Sequence, residues 1–567
     1  METRGRKSDW ITHEVIAHFL LSAVEEMGVT LVRAAYSPNI KERRDCSTAI
    51  FDAGGETVAL AAHIPIHLGS MLGLVREVLA RFPLETLRPG DMFLANDPFG
   101  GGGSHLNDLS LVAPVFWEGA GVAFVANIAH HSDVGGRVPG SESCDATSIY
   151  QEGLRIPPVR MVAERAIDGN LLALLQANSR VPDERVGDLR AQVAANLAGE
   201  RRIEELLRRY GAALVGESMR AILEYTDRRT RAAIRGIPNG TYRHDDAMDD
   251  DGIGVSPVPV GAIVTVGDES IHVDLSPCAP QTAGAKNASI TATLATVYYV
   301  MKAVLDPELP PNAGYYRAVT VDAPRGSVMN AQPPAAVGAR IISCQKLAEV
   351  LLGAFAQAVP ERVIAESHGV SLGVFSGERP GTRDLFVDYE AFGGGAGARA
   401  TKDGLDGIMV HATNTSNLPI EVFESEYPLM IDRYELYPDS GGPGRFRGGL
   451  GIRRDVRLLT DADFTGFVTS FRRVPVGRDG GRPGKPGRYV LIRGGREVVY
   501  DSSTIAGQRL RKGDTISLRT AGGGGYGVPE ARARELLEAD LDEGRVTPEG
   551  ARRDYTHDAG QRQGGQT

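Results

Sequence analysis

The stretch HLNDLSLVAPVFWEGAGVAFVANIAHH, residues 105–131, decides how the N-terminal part of the chain folds. Within it, LSLVAPVFW (109–117) and GVAFVANIAHH (121–131) are apolar runs rich in Val, Phe and Ile, and a short Gly-containing break separates them. That pattern predicts a β-hairpin. A hairpin here returns His130 towards His105 and Asp108, which sit three residues apart after the Gly-rich loop FGGGGS. Upstream, CSTAIFD (46–52) and ETVALAA (56–62) read as another strand pair turning at Gly54-Gly55.

Working outward, Ser8 or Asp9 can cap a helix in which Ile11, Val15, Phe19, Leu20, Ala23, Met27 and Val32 recur at helical spacing, ending before Pro38. Residues 182–234 are rich in Ala, Leu, Arg and Glu and predict two or three helices. Asn239-Gly240 opens a strand section that includes AIVTVGDESIHVDLS with a turn at Gly267-Asp268, and helices follow near 288–305 and 344–358. After Pro360 the chain becomes Gly-rich and strand-like to about residue 520, and from Pro529 it is a charged helix and a polar tail. The expected class is α+β, strand-rich at both ends with a helical middle. The expected regions are 1–180 around the histidines, 181–360, 361–527, and a C-terminal helix and tail at 528–567.

At 567 residues, with 42% hydrophobic and 24% charged residues, the chain can bury more than one sizeable core. A net charge of −10, and no Lys/Arg run with interleaved aromatics, argue against nucleic acid as a partner. No signal-peptide pattern is legible at the start, and no stretch reads as the ~20 apolar residues of a membrane helix. The four cysteines are scattered without a CxxC pair, which fits a reducing cytoplasm better than a disulfide framework or a thiolate zinc site.

Five of the twelve histidines, at 63, 67, 105, 130 and 131, fall between about residues 44 and 131. Two imidazoles and a carboxylate suit a divalent ion such as Mn²⁺, Fe²⁺ or Zn²⁺ and leave coordination positions open, as a hydrolytic metal requires. Taken singly, each residue has a plainer reading. His105 or His67 could be a hydrogen-bonded core histidine, Asp45 a loop or cap residue flanked by Arg43 and Arg44, and Glu152 either a general base or a turn cap. The HHxD cluster at 130–133 weighs the other way, because burying several such groups together is costly unless an ion or mutual hydrogen bonds compensate.

Several blocks carry a resemblance. KERRDCSTAIFDAGGETVALAAHIPIHLGSM, PGDMFLANDPFGGGGSHLNDLSLVAPVF, IAHHSDVGGRVPGS, EGLRIPPVRM and NTSNLPIEVFESEYPLMIDRYEL with PDSGGPGRFRGGLG are similar to blocks of the hydantoinase B/oxoprolinase family, from about residue 8 to about 525. The family also includes the acetone carboxylase alpha subunit. The resemblance implies a family-specific fold. It implies metal ligands at His105, Asp108 and His130 with Asp45 as a fourth, and His131 and Asp133 beside the metal or shuttling protons; Glu152 is a further catalytic candidate on its own reading as a general base. SHLND departs from the family pattern around the ligands while keeping the ligand types. The resemblance also implies a hetero-oligomer in which a hydantoinase A-type subunit uses ATP to phosphorylate a small cyclic amide, which this subunit then hydrolyses. Which ring is opened, whether 5-oxoproline, a hydantoin, N-methylhydantoin or a larger lactam, is left open.

Two motifs are decoys. GVSLG (369–373) matches the GxSxG nucleophile elbow, but strand and turn signals follow it where a helix is needed. Gly481–Lys485 breaks the GxxxxGK[ST] spacing, and Pro486 stands where the Mg²⁺-binding hydroxyl belongs, so no ATP site is legible. The glycines of FGGGGS and AFGGGAG read as tight turns, the former bordering the metal pocket. The alternatives are an acetone carboxylase-like carboxylase subunit, a non-haem Fe(II) oxygenase, which also uses two histidines and a carboxylate, and a structural subunit whose metal only stabilises the fold.

Overall fold

The computed structural model describes residues 10–555 apart from Ala62, so the proposed Ser8/Asp9 cap and the polar tail lie outside the described residues. The first sheet has seven antiparallel strands: β1 (Cys46–Asp52), β2 (Thr57–Ala61), β3 (Met92–Ala95), β4 (Asp108–Trp117), β5 (Ala120–His130), β6 (Val159–Ala163) and β7 (Ala166–Ile167). They run in the order β2-β1-β5-β4-β3-β6-β7. The β4–β5 hairpin is the one read from the sequence, and its register places Asp108 directly opposite His130.

Both faces of this sheet are covered. Leu109, Leu111, Ala113 and Val115 of β4 pack with Ile16, Leu20 and Met27 of the helix Trp10–Ala34 and with Leu189, Ile203 and Leu206 of the helix Pro182–Tyr210. Val112, Phe124, Ala126 and Ile128 face Leu74, Val75 and Val78 of the helix Leu74–Arg81. Double coverage is why the strands read as nearly uninterrupted apolar runs. The first helix is rotated from its expected setting: Ile16, Val24 and Leu31 are buried, whereas Ile11 and Val15 are exposed. An apolar stripe wider than the contact leaves the choice of face to the sheet it meets. By length and composition this helix could also cross a membrane, contrary to the reading that no stretch qualifies. Here its stripe is used in core packing.

Helices Pro182–Tyr210 and Ala212–Ile234 break at Gly211, which has φ 77°. A second sheet follows, made of β8 (Gly240–Met248), β9 (Val258–Val266), β10 (Ile271–Asp274) and β11 (Val319–Asp322) in the order β11-β10-β9-β8. It shares a core with helices Ile290–Leu305 and Arg340–Phe355 through Val260, Val264, Val297, Leu347 and Leu351. The C-terminal part holds a four-stranded sheet built on Ser371–Glu378 and a five-stranded sheet built on Ile452–Leu458, packed through Phe375, Phe386, Phe464 and Leu518. After Pro529 there are two short helices, Arg534–Asp542 and Pro548–Asp554, where one was expected. Gly544, at φ 70°, separates them. The architecture is α+β, as the pattern predicted.

The glycines of AFGGGAG are not tight turns. Gly395 donates to Ala521 O and accepts from His368 N, while Gly523 donates to Gly449 O and Gly524 to Glu366 O. These segments lie backbone against backbone. A Cβ at Gly395 would stand 1.9 Å from Gly449 O, and one at Gly397 would stand 1.7 Å from Ala365 O. Close approach, rather than a left-handed backbone, is what requires glycine there.

Candidate metal centre

Asp108 opens β4 and is fully buried. Its Oδ2 accepts hydrogen bonds from the Ser104 hydroxyl at 2.5 Å and the Ser104 N–H at 3.2 Å. Arg340 Nε donates to the same hydroxyl at 2.9 Å, and Arg340 Nη2 lies 3.5 Å from Oδ2. The other oxygen, Oδ1, has no hydrogen-bond partner and lies 3.4 Å from His105 Nε2 and 3.9 Å from His67 Nε2. The preceding loop reaches this position because Gly103 has no side chain: a Cβ there would be 2.7 Å from Asp108 O.

His130 ends β5 opposite Asp108, and residues opposite one another in a sheet project from the same face. Asn39 holds it, with Nδ2 3.0 Å from His130 Nδ1 and donating to His130 O at 2.8 Å, while Arg43 Nη1 donates to Asn39 Oδ1 at 2.7 Å. The rings of His105 and Tyr389 lie 4.9 and 4.7 Å from the His130 ring, centroid to centroid. One ligand-type atom from each of His105, Asp108 and His130 falls within 4.8 Å of the others. Both His105 ring nitrogens, His130 Nε2 and Asp108 Oδ1 are buried without a hydrogen-bond partner.

The electrostatics are consistent with a cation. Burial, then His105, holds the His130 imidazole well below its ordinary pKa, and burial brings His67 down to about 4, so both present neutral lone pairs. Burial opposes ionisation of Asp108, but His105, Arg340 and His67 outweigh it and keep that carboxyl well below the usual range. Burial pushes Asp45 up to about 7, with Arg43 opposing and Asp108 adding to the rise. Two carboxylates sharing a dry site are what a divalent cation would stabilise in their ionised form.

Asp45, His67, Asp108, His130, Arg340 and Tyr389 line one pocket of ≈ 460 Å³ with Ile64, Ile66, Val370, Leu372 and Phe467. Asp45 thus reaches the pocket but stands outside the close triad. The structure does not bring His131, Asp133 or Glu152 to it. His131 follows His130 by one residue, so it turns to the other side of the sheet, where its Nε2 lies 3.1 Å from Gln192 Oε1 on the helix Pro182–Tyr210. Asp133 is an organiser of its own loop, accepting from the backbone of Gly135, Gly140 and Arg180 and from the Arg180 side chain at 2.9 Å. Glu152 accepts from Val337 N at 3.2 Å and Gly338 N at 2.6 Å, anchoring the loop that leads into Arg340.

Burial is the main cause that pushes Glu152 up from 4.5 to about 8, against those two amides. A carboxyl whose pKa is higher folded than unfolded contributes stability that is present below about 4.5 and is lost as pH rises through about 8. The expected result is a smaller fall in unfolding temperature from pH 5 to 8 in Glu152→Gln than in the wild type, read by calorimetry. Parallel pH profiles would remove Glu152 as a titrating contributor.

Asn39, Ser104, Arg340, Tyr389 and Gln192 escaped the sequence reading. Only Asn39 left a local signal, lying four residues before Arg43. Arg340 and Tyr389 are more than 200 residues from Asp108 and reach its pocket only in the folded chain. Both decoys resolve as read. Ser371 begins a strand buried between two others, with no helix after it. The amides at Gly481, Arg482, Gly484 and Lys485 are all engaged by carbonyls, of Arg478, Pro443, Pro475 and Ser440, so they form no phosphate cradle.

The profile of the hydantoinase B/oxoprolinase family matches residues 9–529. The B-type subunit of a putative D-/L-hydantoinase of Pseudomonas sp. is 31% identical, over 98% of this chain and 96% of that protein. The 5-oxoprolinase 1 of Arabidopsis thaliana is 32% identical over 92% of this chain, which spans 42% of that longer protein. The crystal structure of the ATP-dependent caprolactamase from Pseudomonas jessenii superposes with a TM-score of 0.88 at 31% identity, covering 97% of this chain and 96% of that one. A match of this length in sequence and in fold has one meaning: the chain belongs to the hydantoinase B/oxoprolinase family.

Proposed function

We propose that the chain is the metal-dependent, hydrolytic subunit of an ATP-dependent cyclic amidohydrolase. The observation that carries this is the group of buried, unpartnered ligand atoms of His105, Asp108 and His130, the last two of which line a partly apolar pocket, in a chain of this family. His105, Asp108 and His130 would hold a divalent ion, with Asp45 a fourth ligand from the pocket wall. When bound, such an ion polarises the attacked carbonyl and makes water a usable nucleophile. The protein groups around it have separate tasks. Ser104 and Arg340 occupy one oxygen of Asp108 and so aim the other inward, while Asn39, tethered by Arg43, sets the His130 ring. Tyr389 covers His130, and its hydroxyl donates to Glu142 at 2.6 Å. Ile64, Ile66, Val370, Leu372 and Phe467 suit the methylenes of a small ring and exclude bulk water.

A cyclic amide is a poor electrophile, and phosphorylation of its oxygen would supply the leaving group. Support for a separate ATP-using partner comes from the relatives: one is described as the B-type subunit of a hydantoinase, one as an ATP-dependent caprolactamase, and in the plant 5-oxoprolinase the similar segment is less than half of a longer chain. The test is ATP turnover and ring opening with 5-oxoproline, hydantoin and caprolactam, with and without a hydantoinase A-type subunit. The isolated chain is expected to do neither, and the pair to do both for one of these rings. Substrate-dependent ATP hydrolysis by the chain alone would sink the two-subunit reading, and ATP-free ring opening would make it a self-sufficient metallohydrolase.

A further inference from the structure

A second pocket, of ≈ 510 Å³, lies behind the wall of the first and is lined by Lys286, Gln345, Lys346, Glu349, Ser470 and Arg473 among others. The wall is one layer thick. Ile341, Val370 and Phe467 line the metal-site pocket, while their chain neighbours Ile342, Gly369 and Val468 line this one. Gln345 ties the two together, because its Nε2 donates at 3.1 Å to the hydroxyl of Thr413, which lines the first pocket.

The second pocket carries both signs of charge. Lys346 pairs with Asp246 at 2.5 Å, Arg473 with the same carboxylate at 2.7 Å, and Lys286 with Asp250. Glu349 is 4% exposed; one of its oxygens accepts from Ser367 N at 2.7 Å and lies 2.7 Å from His411 Nε2. Its other oxygen has no partner, and neither does Gln345 Oε1 on a side chain that is 2% exposed. Buried acceptors without donors are uncommon in a folded protein and call for N–H groups from elsewhere. A carboxylate and an amide oxygen together select a cationic donor, while Lys346 and Arg473, two cations that share the single carboxylate of Asp246, favour a second anion beside it.

We propose that this pocket binds a small zwitterion, its ammonium group at Glu349 and Gln345 and its carboxylate at Lys346 and Arg473. The identity of the zwitterion rests on the function proposed above. Net hydrolysis of the lactam breaks the C–N bond, places a water oxygen on the carbonyl carbon as a carboxylate and leaves the ring nitrogen with the protons as an amine that is charged at neutral pH, while a second water releases the phosphoryl group of the activated intermediate as phosphate. The product is an amino acid, whose new ammonium group suits the acceptors of Glu349 and Gln345 that have no donor in the folded chain. A hydantoin would instead give a ureido acid with no ammonium group, so the pocket favours lactams as the substrate class.

The experiment is isothermal titration of the full chain, without ATP or partner, with 6-aminohexanoate, glutamate, hexanoate, hexylamine and N-carbamoylglycine. The zwitterions are expected to bind at least about tenfold more tightly than the singly charged compounds. Glu349→Gln should weaken the zwitterions by about tenfold and leave hexanoate unchanged. Arg473→Ala, whose side chain is 46% exposed and poses little risk to folding, should weaken them as well. His105→Ala should leave zwitterion binding intact. No zwitterion binding, or binding lost in His105→Ala and untouched by Glu349→Gln and Arg473→Ala, would overturn the proposal. Zwitterion binding at Glu349 in a chain that opens no ring with its partner would keep the pocket and remove the reaction, so the two readings fail separately.

Discussion

Purified chain is expected to carry about one divalent transition metal, and His105→Ala and His130→Ala are each expected to lose it together with all ring-opening activity. The expectation follows from what the site lacks in protein partners. Ligand atoms of His105, Asp108 and His130 converge within 4.8 Å in a buried position, and both His105 ring nitrogens, His130 Nε2 and Asp108 Oδ1 are without a hydrogen bond. Removing one imidazole leaves too few ligands for tight binding. Asn39→Ala, which frees the His130 ring and removes the tether to Arg43 while leaving the ligands in place, should weaken metal affinity by roughly 10–100-fold without abolishing it. Elemental analysis and near-UV circular dichroism on the same samples separate metal loss from unfolding. Full metal content in folded His105→Ala and His130→Ala would remove the centre, and with it the proposed chemistry.

The second large effect lies in the glycine layer of the C-terminal part. Gly397→Ala is expected to destabilise the C-terminal part by about 3 kcal/mol or more, since the new Cβ would stand 1.7 Å from Ala365 O and only backbone could yield. Gly216→Ala is the counter-case. It lies inside the helix Ala212–Ile234 with nothing within 4 Å of a built Cβ, so alanine should stabilise by up to about 1 kcal/mol. Thermal unfolding of both variants checks the pair. Equal unfolding temperatures for Gly397→Ala and the wild type would show that the backbone contacts at the glycine layer are not needed for stability.

Much of the fold was legible because local rules carry it. The β4–β5 hairpin, the turn at Gly54-Gly55, the helical stretch 182–234 and the β9–β10 hairpin each follow from local periodicity and breakers, although the break at Gly211 was not marked in advance. The three residues of the close triad were legible for the same reason, since a hairpin starting at Asp108 must bring a residue near 130 back beside it. The hairpin pattern alone fits either His130 or His131 opposite Asp108, because the side-chain period of a strand is two and a one-residue slip exchanges them, and it was the family resemblance that pointed to His130. The register decided it, and sent His131 to Gln192.

The rest belongs to tertiary structure. Which face of the first helix is buried depends on the sheet beneath it. The glycine layer has no side chains and hence no pattern to read; its meaning exists only where two backbones meet. Arg340, Tyr389 and the second pocket are assembled from segments hundreds of residues apart, and nothing local marks them. By itself the sequence determined the α+β class, the elements and the kinds of ligand available, because those depend on neighbours along the chain. Only the tertiary structure decided which atoms converge and which are left without partners, because those depend on neighbours in space.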